Sequence, residues 1–174
     1  MALLRRVALG GVAVWLTMAS SAMVPAAPID PETPACKMIP GDALKPLLGE
    51  PVVIRETNKA TEGVSNCFWK GAKDGAHVGL HYITFASQKV QGGTALDYFR
   101  QNEQSRKQRG GQDNYKPAEG IGQAAFMFDP PNNPTQAVTI YFLQNDDTVT
   151  LETYGIGAPA ALALARSIAE SMRR

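Results

Sequence analysis

Cys36 and Cys67 are the only cysteines in the 174-residue chain, and they constrain its fold more than any other feature. They sit in "PACKMIPGDALKPLLGEPV" (Pro34 to Val52) and "SNCFWKG" (Ser65 to Gly71), 31 positions apart. That spacing is no CxxC redox motif. Two cysteines without suitably placed histidines also make a poor zinc site. The leading expectation is a structural disulfide, with redox or metal roles as alternatives. Closing such a loop would stabilise the fold by about 3–4 kcal/mol in the chain-entropy account. It would also tie the segment before residue 40 to a strand-like stretch at 65–70.

Whether thiols stay paired depends on the compartment, and the first residues address that. Met1 to Arg6 holds two arginines and no acid, Val7 to Met18 is apolar, and Ala19 to Ala22 is small-residue-rich. This order reads as a secretory signal over residues 1–26, cleaved after Ala22 or Ala26. The apolar run is shorter than the roughly 20 residues that a membrane span needs. Arg5-Arg6 faintly matches a twin-arginine signal, but an ordinary two-arginine leader accounts for it, so Sec and Tat export both stay open. No cysteine stands near the cleavage site to carry a lipid. The expected location is the periplasm or the medium, where disulfides persist, with no stable membrane insertion once the signal is gone.

The remainder suits one domain, residues 35–174, preceded by a flexible tail at 27–34, "APIDPETP". Without Arg5 and Arg6 the chain has 15 basic and 16 acidic residues. So balanced a charge provides no global electrostatic case for nucleic acid.

The pattern along the domain predicts an α+β fold. A short helix starts near Asp42, carries Leu44, Leu47 and Leu48, and stops at Gly49. Pro46 is tolerable there only within the first turn. Strands follow at Pro51 to Arg55, Ser65 to Lys70 and His77 to Phe85, with a polar segment between Glu56 and Gly63. Cys67 and Trp69 share one face of their strand. Thr94 and Asp97 form a weak capping box for a second helix. Leu96 and Phe99 are its apolar anchors, and its later half, "RQNEQSRKQR", is expected to lie in water. Gly110 to Gly122 reads as a loop. Further strands follow at Gln123 to Phe128, Ala137 to Leu143 and Thr148 to Tyr154. The turns between them are "DPPNNP" and Asn145-Asp146-Asp147. A last helix spans Ala158 to Arg173 with the stripe Ala161, Leu164, Ala165, Ile168 and Met172. The order α-βββ-α-βββ-α implies an antiparallel sheet of five to six strands packed by two to three helices.

Candidate chemistry is sparse. Gly120-Ile121-Gly122-Gln123-Ala124-Ala125 matches G-x-G-x-x-A, but a dinucleotide site needs a strand before and a helix after. A glycine turn entering a strand fits better. His77 and His81 share a face of an extended strand with Cα atoms about 13 Å apart, too far for one metal. No serine has the setting of a nucleophile. Asp129, Asp146 and Asp147 fall in turns, which attract aspartate for conformational reasons. Arg100, Arg106, Lys107, Arg109 and Lys116 form a basic region near the second helix's end. It can attract an anionic surface or simply be a solvated helix face. No cofactor, metal set or catalytic residue is expected.

Several of these segments together resemble a known group. "C…LKPLLGEPVV" (Cys36 to Val53), "SNCFWKG", the Gly-Ile-Gly-x-Ala-Ala-Phe turn (Gly120 to Phe126) and the closing "ALALARSIAESM" helix resemble small exported bacterial proteins and lipoproteins catalogued as a domain of unknown function. The resemblance spans nearly the whole mature chain. It implies the disulfide and the α+β fold and supplies no active site.

The leading functional expectation is an exported, non-enzymatic binding or accessory protein whose partner is an unknown protein or envelope component. Its contact surface is expected at the helix-free sheet face or the 110–122 loop, with Trp69, Arg106, Lys107, Arg109, Lys116, Phe128, Asn132 and Asn133 as candidates. One alternative is an envelope inhibitor of a lysozyme or protease, plugging its target with Phe128 to Gln136. Another is a small hydrolase centred on His81 or Asp129.

Overall fold

The computed structural model describes residues 30–88, 92–110, 112–131 and 137–173. The expected signal peptide lies outside them. The elements are α1 (Pro34–Lys37), α2 (Gly41–Leu48), β1 (Val53–Thr61), β2 (Val64–Lys70), β3 (His77–Ile83), α3 (Ala95–Gly110), β4 (Tyr115–Pro117), β5 (Ala124–Phe128), β6 (Val138–Gln144), β7 (Asp147–Tyr154) and α4 (Ala158–Ser171). The strands form one sheet in the order β1-β2-β3-β7-β6-β5-β4. Every neighbouring pair is antiparallel. The fold is α+β as expected, with seven strands and four α-helices among the described residues, more of each than the sequence implied.

Side-chain alternation divides the sheet into two faces. One presents Cys67 and Trp69 (β2), Val78 and Leu80 (β3), Val138, Ile140 and Phe142 (β6) and Val149 and Leu151 (β7). These pack with Leu44 and Leu48 of α2 and with the predicted α4 stripe, whose Ala161, Leu164, Ala165 and Ile168 are buried. Met172 packs partly buried at its end. The Cys36–Cys67 disulfide lies on this side and joins α1 to β2. A buried hydrogen bond from the Ala35 N–H to Ser65 Oγ (3.0 Å) stands beside it.

Among the described residues, the opposite face is covered only in part. Ala95 and Phe99 of α3 meet Ala124, Phe126 and Leu143 in a second, smaller core. The predicted capping box opens α3: the Asp97 N–H donates to Thr94 Oγ1 (3.1 Å) and the Thr94 N–H to Asp97 Oδ2 (3.0 Å).

Several expectations need correction. The polar segment after Arg55 continues β1 to Thr61, because an edge strand needs only backbone partners on β2. The 110–122 loop contains β4, held by pairing with β5. Pro46 lies beyond the first turn of α2, inside the helix. Leu96 does not anchor α3 and stands 43% exposed, while Ala95 takes the buried position. The expected tail is fastened from Asp30 onward: the Asp30 N–H donates to Thr57 Oγ1 (2.7 Å), and Thr33 is buried.

The turns carry clear local logic. Asn145 and Asp146 both have positive φ (52° and 66°) between the paired residues Gln144 and Asp147. That is the two-residue hairpin whose twist matches its strands and which favours Asn and Asp. The G-x-G-x-x-A stretch is a turn entering β5. A Cβ on Gly122 would stand 2.3 Å from the Leu143 carbonyl oxygen, so the residue serves close strand approach.

Candidate functional site

The partly covered face is organised in rows across the strands. Pairing aligns Phe128, Thr139, Glu152, Gly79 and Phe68 in one row. Phe126, Tyr141, Thr150, His81 and Asn66 form the next. Tyr154, His77 and Lys70 form a shorter third. Helix α3 lies over the β5–β6 side and borders Thr148 and Thr150 of β7, and among the described residues no α-helix packs on this face of β2 and β3.

The α3 side is an aromatic platform gripped by polar side chains. The Phe126 ring stacks on Tyr141 (centroids 4.8 Å apart) and lies 5.4 Å from Phe99. Tyr115 and Phe128 complete the platform, at 6.0 and 5.9 Å from Phe126. The Tyr115 hydroxyl donates to the Glu103 carboxylate, which Arg100 Nη1 holds at 2.7 Å. Burial, reinforced by Glu103, pushes the Tyr115 phenol up to about 12. Lys107 Nζ lies 4.4 Å from the centre of the Tyr115 ring. Arg106 places its guanidinium carbon 4.3 Å from the centre of the Tyr141 ring and donates to that residue's hydroxyl at 3.0 Å. The later half of α3 is therefore not simply in water: Glu103, Arg106 and Lys107 seat it on the sheet.

The helix-free side carries a second stack. The His77 ring lies 4.1 Å from Tyr154 and 4.9 Å from Phe68. Phe68 can lean across β3 because Gly79 faces it: a Cβ there would meet the Phe68 ring at 3.3 Å. Burial, then the charge of Lys70, lowers the His77 pKa against the pull of Glu152. The imidazole is therefore neutral near pH 7 and behaves as a third aromatic ring. Between the two stacks lie Thr139, Glu152 and Thr150, all half-buried.

Of the residues expected at a contact surface, Arg106, Arg109 and Phe128 come together. With Thr139 and Tyr141 they line a hollow of about 330 Å³ beside α3. Lys107 rests on Tyr115, and Lys116 pairs with Asp129 (2.6 Å). Trp69 is a correction: it is 2% exposed, in the core with the disulfide, and offers no contact surface. Asn132 and Asn133, and most of the proposed plugging loop, lie outside the described residues.

The hydrolase candidates are not brought together. Three strand steps separate β3, which carries His81, from β5, which Asp129 follows, or roughly 14 Å. Asp129 is paired with Lys116. Asp147 is not merely a turn residue, because its carboxylate accepts from the Tyr82 hydroxyl and from the Phe85 N–H. Among the described residues no group of three or more His, Cys, Asp or Glu could hold a metal ion.

The Phe68–His77–Tyr154 stack and the Tyr141 platform were missed in the sequence. Period-two alternation does place Phe68 opposite Cys67 and Trp69, which was the available signal. Its junction with His77 and Tyr154 depends on the β2–β3–β7 register. Among the described residues no helix is long and apolar enough to cross a membrane. Comparison of the chain with protein-family models, with curated proteins and with solved structures finds no match.

Proposed function

We propose that the protein is an exported, non-enzymatic binding or accessory protein that captures an envelope component on the partly covered sheet face. The observation that carries this reading is the incomplete cover of that face. Helix α3 shields β5 and β6, while the Phe68–His77–Tyr154 stack and the row through Glu152 and Thr139 stay accessible beside it. Partly exposed stacked rings next to hydrogen-bonding side chains suit recognition, because they combine apolar contact with a few orienting polar groups. The leader-like first residues and the disulfide support export. Asp129 and Asp147 are engaged in holding the fold, which supports a non-enzymatic reading.

The test is affinity capture from the envelope of the source bacterium, with wild-type protein and a Phe68→Ala/Tyr154→Ala variant run in parallel. The captured component should be lost or strongly reduced with the variant. Equal capture by both proteins would remove the sheet face from the function. Turnover of any member of a panel of esters, glycosides or peptides by the purified protein would overturn the non-enzymatic reading.

A further inference from the structure

Arg106 and Arg109 differ from the other basic residues around α3. Arg100 is paired with Glu103, Lys116 with Asp129, and Lys107 lies against Tyr115. Arg106 donates to the Tyr141 hydroxyl and Arg109 to the Ser105 carbonyl (3.3 Å). Neither forms an ion pair with a carboxylate among the described residues. A guanidinium has five N–H donors in a planar fork, so each keeps donors free. Arg106 is also oriented in advance, since Tyr141 holds it by both its ring face and its hydroxyl.

Arg106 and Arg109 both line the 330 Å³ hollow. Its apolar wall is a corner: the Phe128 ring stands at 86° to Tyr141, with centroids 6.2 Å apart. The faces of Tyr141 are taken by Phe126 (4.8 Å) and the Arg106 guanidinium (4.3 Å), so a flat ring can lie on the Phe128 face and meet the edge of Tyr141, the arrangement that aromatic quadrupoles favour. Thr139 contributes a hydroxyl. The volume is at the low end of small-molecule pockets, about 300–1,000 Å³, and suits a single-ring ligand. Glu152 is in register with Thr139 on the next strand, so negative charge lies on the side away from α3. That placement directs an anionic group toward Arg106 and Arg109 and disfavours a second negative charge.

We propose that this hollow is a binding site for a small planar carboxylate, its anionic end on Arg106 and Arg109 and its ring against Phe128 and Tyr141. The inference rests on the reading of this face as the binding surface and names the ligand chemistry there.

The experiment titrates isotope-labelled mature protein with benzoate, benzyl alcohol and phenyl phosphate, following backbone amide resonances. Benzoate should shift the amides of Arg106, Arg109, Phe128, Thr139 and Tyr141. It should bind at least tenfold more tightly than benzyl alcohol, and more tightly than phenyl phosphate. Arg106→Gln/Arg109→Gln should weaken benzoate tenfold or more while keeping the dispersed spectrum of the folded protein. Should the double variant unfold, Arg109→Gln alone, which leaves the Arg106–Tyr141 contact intact, should weaken it severalfold. Equal binding of benzoate and benzyl alcohol, or an unaffected folded variant, would overturn the site. Benzoate shifts confined to Phe68, His77 and Tyr154 would also overturn it, yet leave the broader binding-face reading standing. An absence of shifts with all three probes would overturn the site as well.

Discussion

The Tyr82 hydroxyl donates to the Asp147 carboxylate and so ties the end of β3 to the first residue of β7. The other oxygen of Asp147 accepts from the Phe85 N–H at 3.2 Å, so one carboxylate secures both the hairpin and the chain leaving β3. Hydrogen bonds to a charged group contribute about 1.5–3 kcal/mol. Asp147→Ala should lower stability by that amount in denaturant unfolding. An unchanged midpoint would show that the contact contributes nothing.

The same pair predicts alkaline sensitivity. Burial first, and then Asp147, pushes the Tyr82 phenol up to about 12 from 10.0. Tyr115 is pushed up to about 12 as well. Each folded-state value lies above its unfolded one, so the neutral phenol is favoured in the fold. The stabilisation is complete below about pH 10 and is lost as pH rises from 10 to about 12. Unfolding midpoints should therefore fall over that window, and Tyr82→Phe should flatten part of the fall. Tyrosinate absorbance that titrated as a single population near pH 10 would contradict this.

The disulfide predicts an all-or-none thiol count. Cys36 is 7% and Cys67 2% exposed, so neither sulfur is readily reached in the folded protein. The native protein should show no free thiol, and unfolding in reductant should be needed to release two. The loop between the cysteines spans 31 positions, so reduction should cost about 3–4 kcal/mol and lower Tm by several degrees or more. Equal unfolding curves with and without reductant would refute the stabilising role.

Two glycines should respond in opposite directions. A Cβ on Gly71 would lie 2.2 Å from the Leu48 carbonyl oxygen, where β2 passes the end of α2. Gly71→Ala should destabilise by about 1–3 kcal/mol, as overpacking does. Gly41, at the start of α2, has nothing within 4 Å of such a Cβ. Gly41→Ala should be neutral or stabilise by up to about 1 kcal/mol by restricting the unfolded chain. Thermal unfolding of both variants checks the contrast.

Phe126 should be the residue that holds α3 to the sheet. It is 1% exposed and contacts the rings of Phe99, Tyr115, Phe128 and Tyr141. Phe126→Ala should cost about 3–5 kcal/mol. Amide exchange should quicken most along α3, while α4, on the other face, stays protected. Uniform acceleration across both helices would show that the two cores are not energetically separable.

The sequence made the covalent link, the antiparallel pattern and the helix stripe of α4 legible, because each follows from local rules of cysteine context, period two and period 3.6. Asn145-Asp146 and Gly120 to Gly122 were readable as turns from their backbone preferences. Illegible were features decided by distant partners. Residues 56–61 look like a loop until β2 supplies their ladder, and Tyr115 to Pro117 until β5 does. The polar side of α3 looked solvated because nothing local reveals that Tyr115 and Tyr141 wait beneath Glu103 and Arg106. The candidate site was half visible: Arg106, Arg109 and Phe128 were identified, whereas Thr139, Tyr141 and the Phe68–His77–Tyr154 stack depend on register.

A sheet of this order has β1 and β4 as its two edge strands, each with one strand neighbour among the described residues. Such rims can recruit a second chain and start aggregation. Here the ladder of β1 is broken by shifts between Ile54 and Glu56 and between Asn58 and Thr61, and exposed Arg55 sits at the first of them. The other rim is only three residues long and ends in Pro117, which has no N–H to offer. Both rims are therefore poor templates for another strand, so pairing of two copies edge to edge through their backbones is disfavoured.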